Sequence, residues 1–166
     1  CKVCEQINRN LEEIKVSKLK YLAYDDKKWE KLAFDDATGG YVVVDRNRIE
    51  RSVKGNEKKK LTKEKSMCLN LIKQGHQIEL IKEVPGISSP DIIFNNIKAD
   101  LKKTCSHNNI LKEAKKAIYE QGADLVIFEF ENETNKIYQE LLKLKRMNIS
   151  HLYYFTGNES KIYGVL

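Results

Sequence analysis

The chain has 166 residues, 41% hydrophobic and 33% charged, with a net charge of +6 and a pI near 9.0. That composition suits one domain plus an N-terminal extension, with enough apolar material for a core. No run approaches the roughly 20 apolar residues of a membrane span, and no segment has the charged–apolar–small order of a signal peptide. The first residue is Cys rather than Met, as expected of a piece of a longer protein.

Residues 5–34 are predicted to be helical and polar, with an imperfect stripe of Ile7, Leu11, Ile14, Leu19, Leu22, Trp29 and Leu32. Gly39-Gly40 breaks that pattern, and Tyr41–Val44 reads as a short β-branched strand. Residues 45–60 are charged and read as a linker or loop, which divides the chain into an extension, 1–56, and a main domain, 57–166. Leu61, Glu64, Cys68, Leu71 and Ile72 share one helical face, and Gly75 ends that helix. A strand over Gln77–Glu83, a loop with Pro85-Gly86 and a hairpin over 91–102 follow. Ile110, Leu111, Ala114, Ala117 and Ile118 give an amphipathic helix that stops before Gly122. Asp124–Phe130 reads as a strand, Glu129 and Glu131 alternating with Phe128 and Phe130 as if one face were wet. Ile137, Leu141, Leu142 and Leu144 mark a helix ending near Asn148, and His151–Phe155 a last strand. The order predicts an α/β fold with a mixed sheet, an α-β-β-β-α-β core, helices on both faces and a mostly helical N-terminal extension.

The hairpin carries the chemistry. Asn95-Asn96 tolerates the left-handed backbone of a two-residue turn, which sets Phe94 opposite Ile97, Ile93 opposite Lys98 and Ile92 opposite Ala99. Asp91 then faces Asp100 at about 5 Å between Cβ atoms, where like charges repel, and Lys102 shares the Asp100 face. Glu64 lies on a core-facing stripe, where a carboxylate is costly unless paired or bound to metal. Glu57, Glu79 and Glu83 compete with it for the role of third acid. Asp91, Asp100, Glu64 and the carbonyl of Leu101 make an oxygen-rich set for a hard divalent cation, Mg²⁺ first. Such a cation polarises a scissile phosphate, and Lys102 orients water or neutralises phosphorane charge. The ordinary readings are a half-exposed helix glutamate, a strand-initiating Asp91 and a local Asp100–Lys102 pair.

Lysines cluster at Lys54, Lys58, Lys59, Lys60, Lys63 and Lys65, then at Lys98, Lys102, Lys103, Lys112, Lys115 and Lys116. Charge alone leaves a phosphate-rich partner and a solvated helix face equally open. Lys103, Thr104, Ser106, His107, Asn108, Asn109 and Lys112 follow the candidate site and open a helix, so they are candidate nucleic-acid contacts; Ser106 or Asn108 also reads as its N-cap. Cys1 and Cys4 form a C-x-x-C with no second pair at zinc spacing, Cys68 reads as packing, and Cys105–His107 is a poor nucleophile pair.

The run Glu64, Pro90-Asp91, Asp100-Leu101-Lys102 resembles the PD-(D/E)XK pattern of restriction-endonuclease-like nucleases. More narrowly, Gly75–Leu80, Ser89-Pro90-Asp91, Ala99–Lys102, Ser106–Ile110, Lys115-Lys116-Ala117 and Gln121–Asp124 resemble the C-terminal nuclease domains of CdiA-type contact-dependent growth inhibition toxins. That resemblance implies a metal-dependent nuclease cutting RNA, tRNA before DNA, with Asp91, Asp100 and Lys102 as site residues and Glu64 as a less fixed one. It also implies a cognate immunity protein as partner and action in a bacterial cytoplasm, that of a target cell after delivery. Cys1–Cys4 and Leu32–Val44 resemble the junction behind phage minor-head proteins that carry toxin tails. A DNA endonuclease of the same fold and a non-catalytic nucleic-acid or capsid-interaction module stand as alternatives.

Overall fold

The computed structural model describes residues 1–84, 86–104, 106–132, 134–147, 152–156 and 163–164; for Thr104 and the last two segments it describes the backbone alone. Eight strands form one mixed sheet in sequential order: β1 (Trp29–Phe34), β2 (Tyr41–Asp45), β3 (Gln77–Leu80), β4 (Ile92–Phe94), β5 (Ile97–Thr104), β6 (Leu125–Phe130), β7 (Leu152–Thr156) and β8 (Tyr163–Gly164). The β2–β3, β5–β6 and β6–β7 pairs are parallel and the other four antiparallel. The helices are α1 (Lys2–Ala23), α2 (Arg46–Arg51), α3 (Gly55–Ile72), α4 (Ile110–Lys115), which runs on as a π turn over Lys116–Glu120, and α5 (Asn135–Arg146). From α3 the order α-β-β-β-α-β is the one expected.

Strand alternation sorts the core into two faces. Val42, Val44, Ile78, Leu80, Ile92, Phe94, Ala99, Leu101, Leu125 and Ile127 pack under the α3 residues Leu61, Met67, Cys68, Leu71 and Ile72. Val126, Phe128 and Phe130 pack on the other face with Ile110 and Ala114 of α4 and Ile137, Leu141 and Leu144 of α5. Tyr41 and Val43 meet Tyr21 of α1 in a smaller cluster. Cys68 is fully buried packing, as its helical face required.

Several expectations are corrected. The first helix ends at Ala23, and residues 29–34 form β1 instead of continuing it. Asp25 accepts a hydrogen bond from the Lys27 amide, a local turn that competes with the helix, and the aromatic-rich stretch then pairs with β2. The charged stretch 45–60 is no linker: Asp45 caps α2 by accepting from the Asn47 amide at 2.9 Å, and α3 begins at Gly55. The boundary expected near residue 56 therefore falls inside α3, and β2 before it pairs with β3 after it. Glu129 is 3% exposed rather than on a wet face, because β6 is central and covered on both sides. The strand expected over 77–83 stops at Leu80, and the last strand and α5 are offset by a residue or two, with Asn148 and His151 outside the described residues.

The hairpin has the predicted register, Ile92↔Ala99, Ile93↔Lys98 and Phe94↔Ile97, with Asn95 at φ 47° and Asn96 at φ 67°. At the same end of β3, the β1–β2 turn is locked to the end of α3: Thr38 Oγ1 donates to the Ile72 carbonyl at 2.8 Å. Gly40 lies so close to that carbonyl that a Cβ there would sit 2.0 Å from the Ile72 oxygen. Gly40→Ala must push α3 off the sheet, and the expected cost is about 3 kcal/mol, measured as a lower midpoint in urea unfolding.

Candidate functional site

The site forms where α2, α3, the segment after β3 and the start of the hairpin converge. Glu64 is presented by the buried face of α3, and Asp91 stands one residue before β4. Asp100 and Lys102 lie on one face of β5. Glu64, Asp91 and Asp100 are 4%, 2% and 0% exposed. One carboxylate oxygen from each of Glu64, Glu83 and Asp91 lies within 4.8 Å of the others. Asp91 and Asp100 lie close enough to shift each other's protonation, so the acids form one continuous group.

Three cations answer them. Lys102 Nζ lies 2.5 Å from Asp100 Oδ2, 3.7 Å from Glu113 Oε2 and 3.3 Å from Gln121 Oε1, to which it donates. Lys60 Nζ pairs with Glu83 and lies 3.3 Å from Asp91 Oδ1 and 3.9 Å from Glu64 Oε1. Arg48, 4% exposed, donates from Nη1 to the carbonyls of Ile81 at 3.0 Å and Asp91 at 3.2 Å. Its Nη2 donates to Glu64 Oε2 and lies 3.3 Å from Glu83 Oε1. The Leu101 amide donates to Asp91 Oδ2 at 3.2 Å.

These contacts set the protonation. Burial, then the Asp91 charge, push Glu64 up to about 8 against the pull of Arg48 and Lys60. Burial, then the hydrogen bond and charge of Asp91, push Asp100 up to about 8, partly opposed by Lys102. Burial acts most strongly on Asp91 too, but Asp100, Lys60, Arg48 and the Leu101 amide together outweigh it and hold Asp91 below the usual carboxylate range. Lys60 loses some basicity to burial, yet Asp91, Glu83 and Glu64 raise it overall. These shifts favour the protonated form of Asp100 over that of Asp91, and Glu64 is shifted in the same direction as Asp100.

The four residues singled out from sequence, Glu64, Asp91, Asp100 and Lys102, are brought together. Glu83, one of three rivals for the third acid, joins them. Glu79 accepts from Tyr24 at 2.5 Å, and Glu57 lines the adjoining cleft. The Leu101 side chain is in the core, and only its amide is seen in the site. The candidate contacts beyond β5 diverge. Lys103 turns to Glu129 at 3.2 Å. Ser106 caps a 3₁₀ turn (His107–Asn109) by accepting from the Asn108 amide at 3.2 Å. His107 lines a separate cleft with Glu131, Asn132, Thr134 and Asn135, Asn108 and Asn109 are exposed in that turn, and Lys112 is exposed on α4. Thr104 closes β5, and Cys105 lies outside the described residues. Arg48 and Gln121 were not anticipated as site residues.

A cleft of about 400 Å³ opens beside the acids, lined by Arg51, Lys60, Glu83, Ser88, Ser89 and Gln121 among others. The donor set fits a hard cation: Glu64 Oε1, Asp91 Oδ1 and both Asp100 oxygens are buried without an aligned hydrogen-bond donor among the described residues.

No protein-family model and no curated protein matches the chain. Among solved structures it is similar to the CdiA-CT/CdiI toxin and immunity complex from Burkholderia pseudomallei, at 14% identity and a TM-score of 0.51, over 67% of this chain and 88% of that one. The chain shares its fold with the matched chain of that complex.

Two outcomes follow from the ion pairs. Removing one partner of a buried pair strands the other, so Arg48→Ala should lose roughly 3–5 kcal/mol in urea unfolding, while Arg48→Met with Glu64→Leu should recover much of it. In the unfolded chain Glu64 and Asp100 titrate near 4.5 and 3.8, and both are raised on folding. Their stabilising contribution is full below those values and is lost as pH rises toward about 8. In EDTA the melting temperature should fall between about pH 4 and about pH 8, and Asp100→Asn should flatten that fall. A slope unchanged in Asp100→Asn rules the assignment out.

Proposed function

We propose that this chain is a metal-dependent nuclease toxin domain that cleaves RNA phosphodiester bonds, with tRNA as the favoured substrate. The observation that carries the reading is the convergence of Glu64, Glu83, Asp91 and Asp100, several of their buried oxygens lacking donors, with the Lys102 ammonium beside them and an open cleft alongside. The fold supports the toxin part, because the solved structure it resembles is described as a toxin and immunity complex. On the same ground the expected partner is a cognate immunity protein; action in a bacterial cytoplasm reached after delivery rests on the sequence resemblance to CdiA-type toxins alone. The preference for tRNA rests on the resemblance of 75–124 to CdiA-type toxin nucleases.

Glu64, Glu83, Asp91 and Asp100 would hold the ion. A bound Mg²⁺ or similar cation supplies Lewis-acid polarisation of the phosphodiester and lowers the pKa of a water. The chain's own residues do the positioning. Arg48 fixes the carboxylates of Glu64 and Glu83. Lys102, held between Asp100 and Gln121, offers an ammonium to the charge that develops on phosphate oxygens. Arg51 and Lys60 on the cleft wall attract a polyanion and make its binding salt-dependent.

The test is incubation of the purified chain with total tRNA and with plasmid DNA, in Mg²⁺ and in EDTA. Lys102→Ala and Asp100→Asn should each lower tRNA cleavage about 100-fold or more, and EDTA should abolish it. Undiminished activity in both variants sinks the site. Cutting of plasmid alone moves the substrate to DNA, and binding without cleavage makes the chain a non-catalytic module.

A further inference from the structure

Lys60 and Arg48 occupy the same carboxylate cluster under opposite constraints. Arg48 is 4% exposed, and two backbone carbonyls as well as Glu64 hold its guanidinium. It is part of the wall. Lys60 has a side chain 42% exposed, and among the described residues its ammonium pairs only with carboxylates that would also bind a metal: Glu83, Asp91 at 3.3 Å and Glu64 at 3.9 Å. It also lines the cleft. Its ammonium therefore stands where a divalent cation would have to stand, and a flexible four-carbon stem gives it somewhere else to go.

From this geometry we infer that Lys60 is the displaceable counter-charge of the metal site: a divalent cation seated among Glu64, Glu83 and Asp91 expels its ammonium into the cleft, where it pairs with a substrate phosphodiester. The inference rests on the proposed nuclease reading for its phosphate part alone. Without metal, Lys60 screens three clustered acids from one another. With metal, the same ammonium faces a dication across a few ångströms, and repulsion favours its departure. The released charge lies next to Arg51, Ser88 and Ser89 on the cleft wall, a setting for a phosphate.

The displacement is read without any activity. Mn²⁺ is titrated calorimetrically into the chain and into Lys60→Met, which keeps the stem and removes the charge. Lys60→Met should bind Mn²⁺ about tenfold more tightly, the scale of one like-charge contact in a partly exposed site. Detectable binding only in the variant also supports displacement. Equal or weaker affinity, or no binding in either protein, overturns it. The unmodified chain gives a second reading that needs no variant: acylation of Lys60 by an amine-reactive ester, followed by peptide mass spectrometry and normalised to the exposed Lys63. Mn²⁺ should raise the labelling of Lys60 several-fold, and unchanged or reduced labelling overturns the displacement. With tRNA at saturating Mn²⁺, the loss in Lys60→Met should appear in KM rather than in kcat, and an unchanged KM overturns the phosphate part. A chain that cuts no nucleic acid fails the nuclease reading, while the titration and the labelling still decide the displacement.

Discussion

The structure depends on one buried guanidinium. Arg48 joins four pieces of chain that are remote in sequence: α2, which carries it, Glu64 of α3, the Ile81–Glu83 segment after β3, and the backbone of Asp91 before β4. Taking such a charge out of water costs several kcal/mol, so it persists only where donors and acceptors are matched. Each Arg48 nitrogen used here has a carbonyl or carboxylate opposite it. The match fixes the spacing of Glu64, Glu83 and Asp91, which would otherwise repel one another. It also makes the segment before α3 part of the site. A nuclease core read as starting at α3 would have two site acids held by a residue outside it.

The parts legible in the sequence are those set by local geometry. Two adjacent asparagines specify a tight turn, the turn specifies a register, and the register brings Asp91 to Asp100. Glu64 was legible because a helix repeats every 3.6 residues and a carboxylate among Leu61, Cys68 and Leu71 has to turn inward. Arg48 was not legible, because α2 is a six-residue helix holding Arg46, Arg48 and Arg51, and no periodicity that short says which one is buried. The one available signal was Asp45, a capping residue before a run without Gly or Pro. β1 was misread for a related reason: Trp29 and Leu32 fit a helical stripe as well as a strand, and only pairing with β2 decides between them. Glu83 was legible as a rival but not as a partner, since it follows β3 in irregular backbone whose direction no pattern fixes.

The charge count explains why the site is arranged as it is. Glu64, Glu83, Asp91 and Asp100 bring four potential negative charges, and Arg48, Lys60 and Lys102 bring three positive ones. Burial raises both Glu64 and Asp100 to about 8, so at neutral pH the cluster retains protons that bring it close to neutrality. A buried cluster far from neutrality is expensive, so any added dication must be compensated locally. Releasing the Glu64 and Asp100 protons removes part of the excess, and moving the Lys60 ammonium out to solvent removes more, because Lys60 has the most open side chain of the three cations. Arg48 is clamped by backbone, and Lys102 is held by Asp100 and Gln121. A near-neutral metal-free state and a near-neutral metal-bound state are thus both available to the same seven side chains, and the passage between them would deliver one lysine to the cleft.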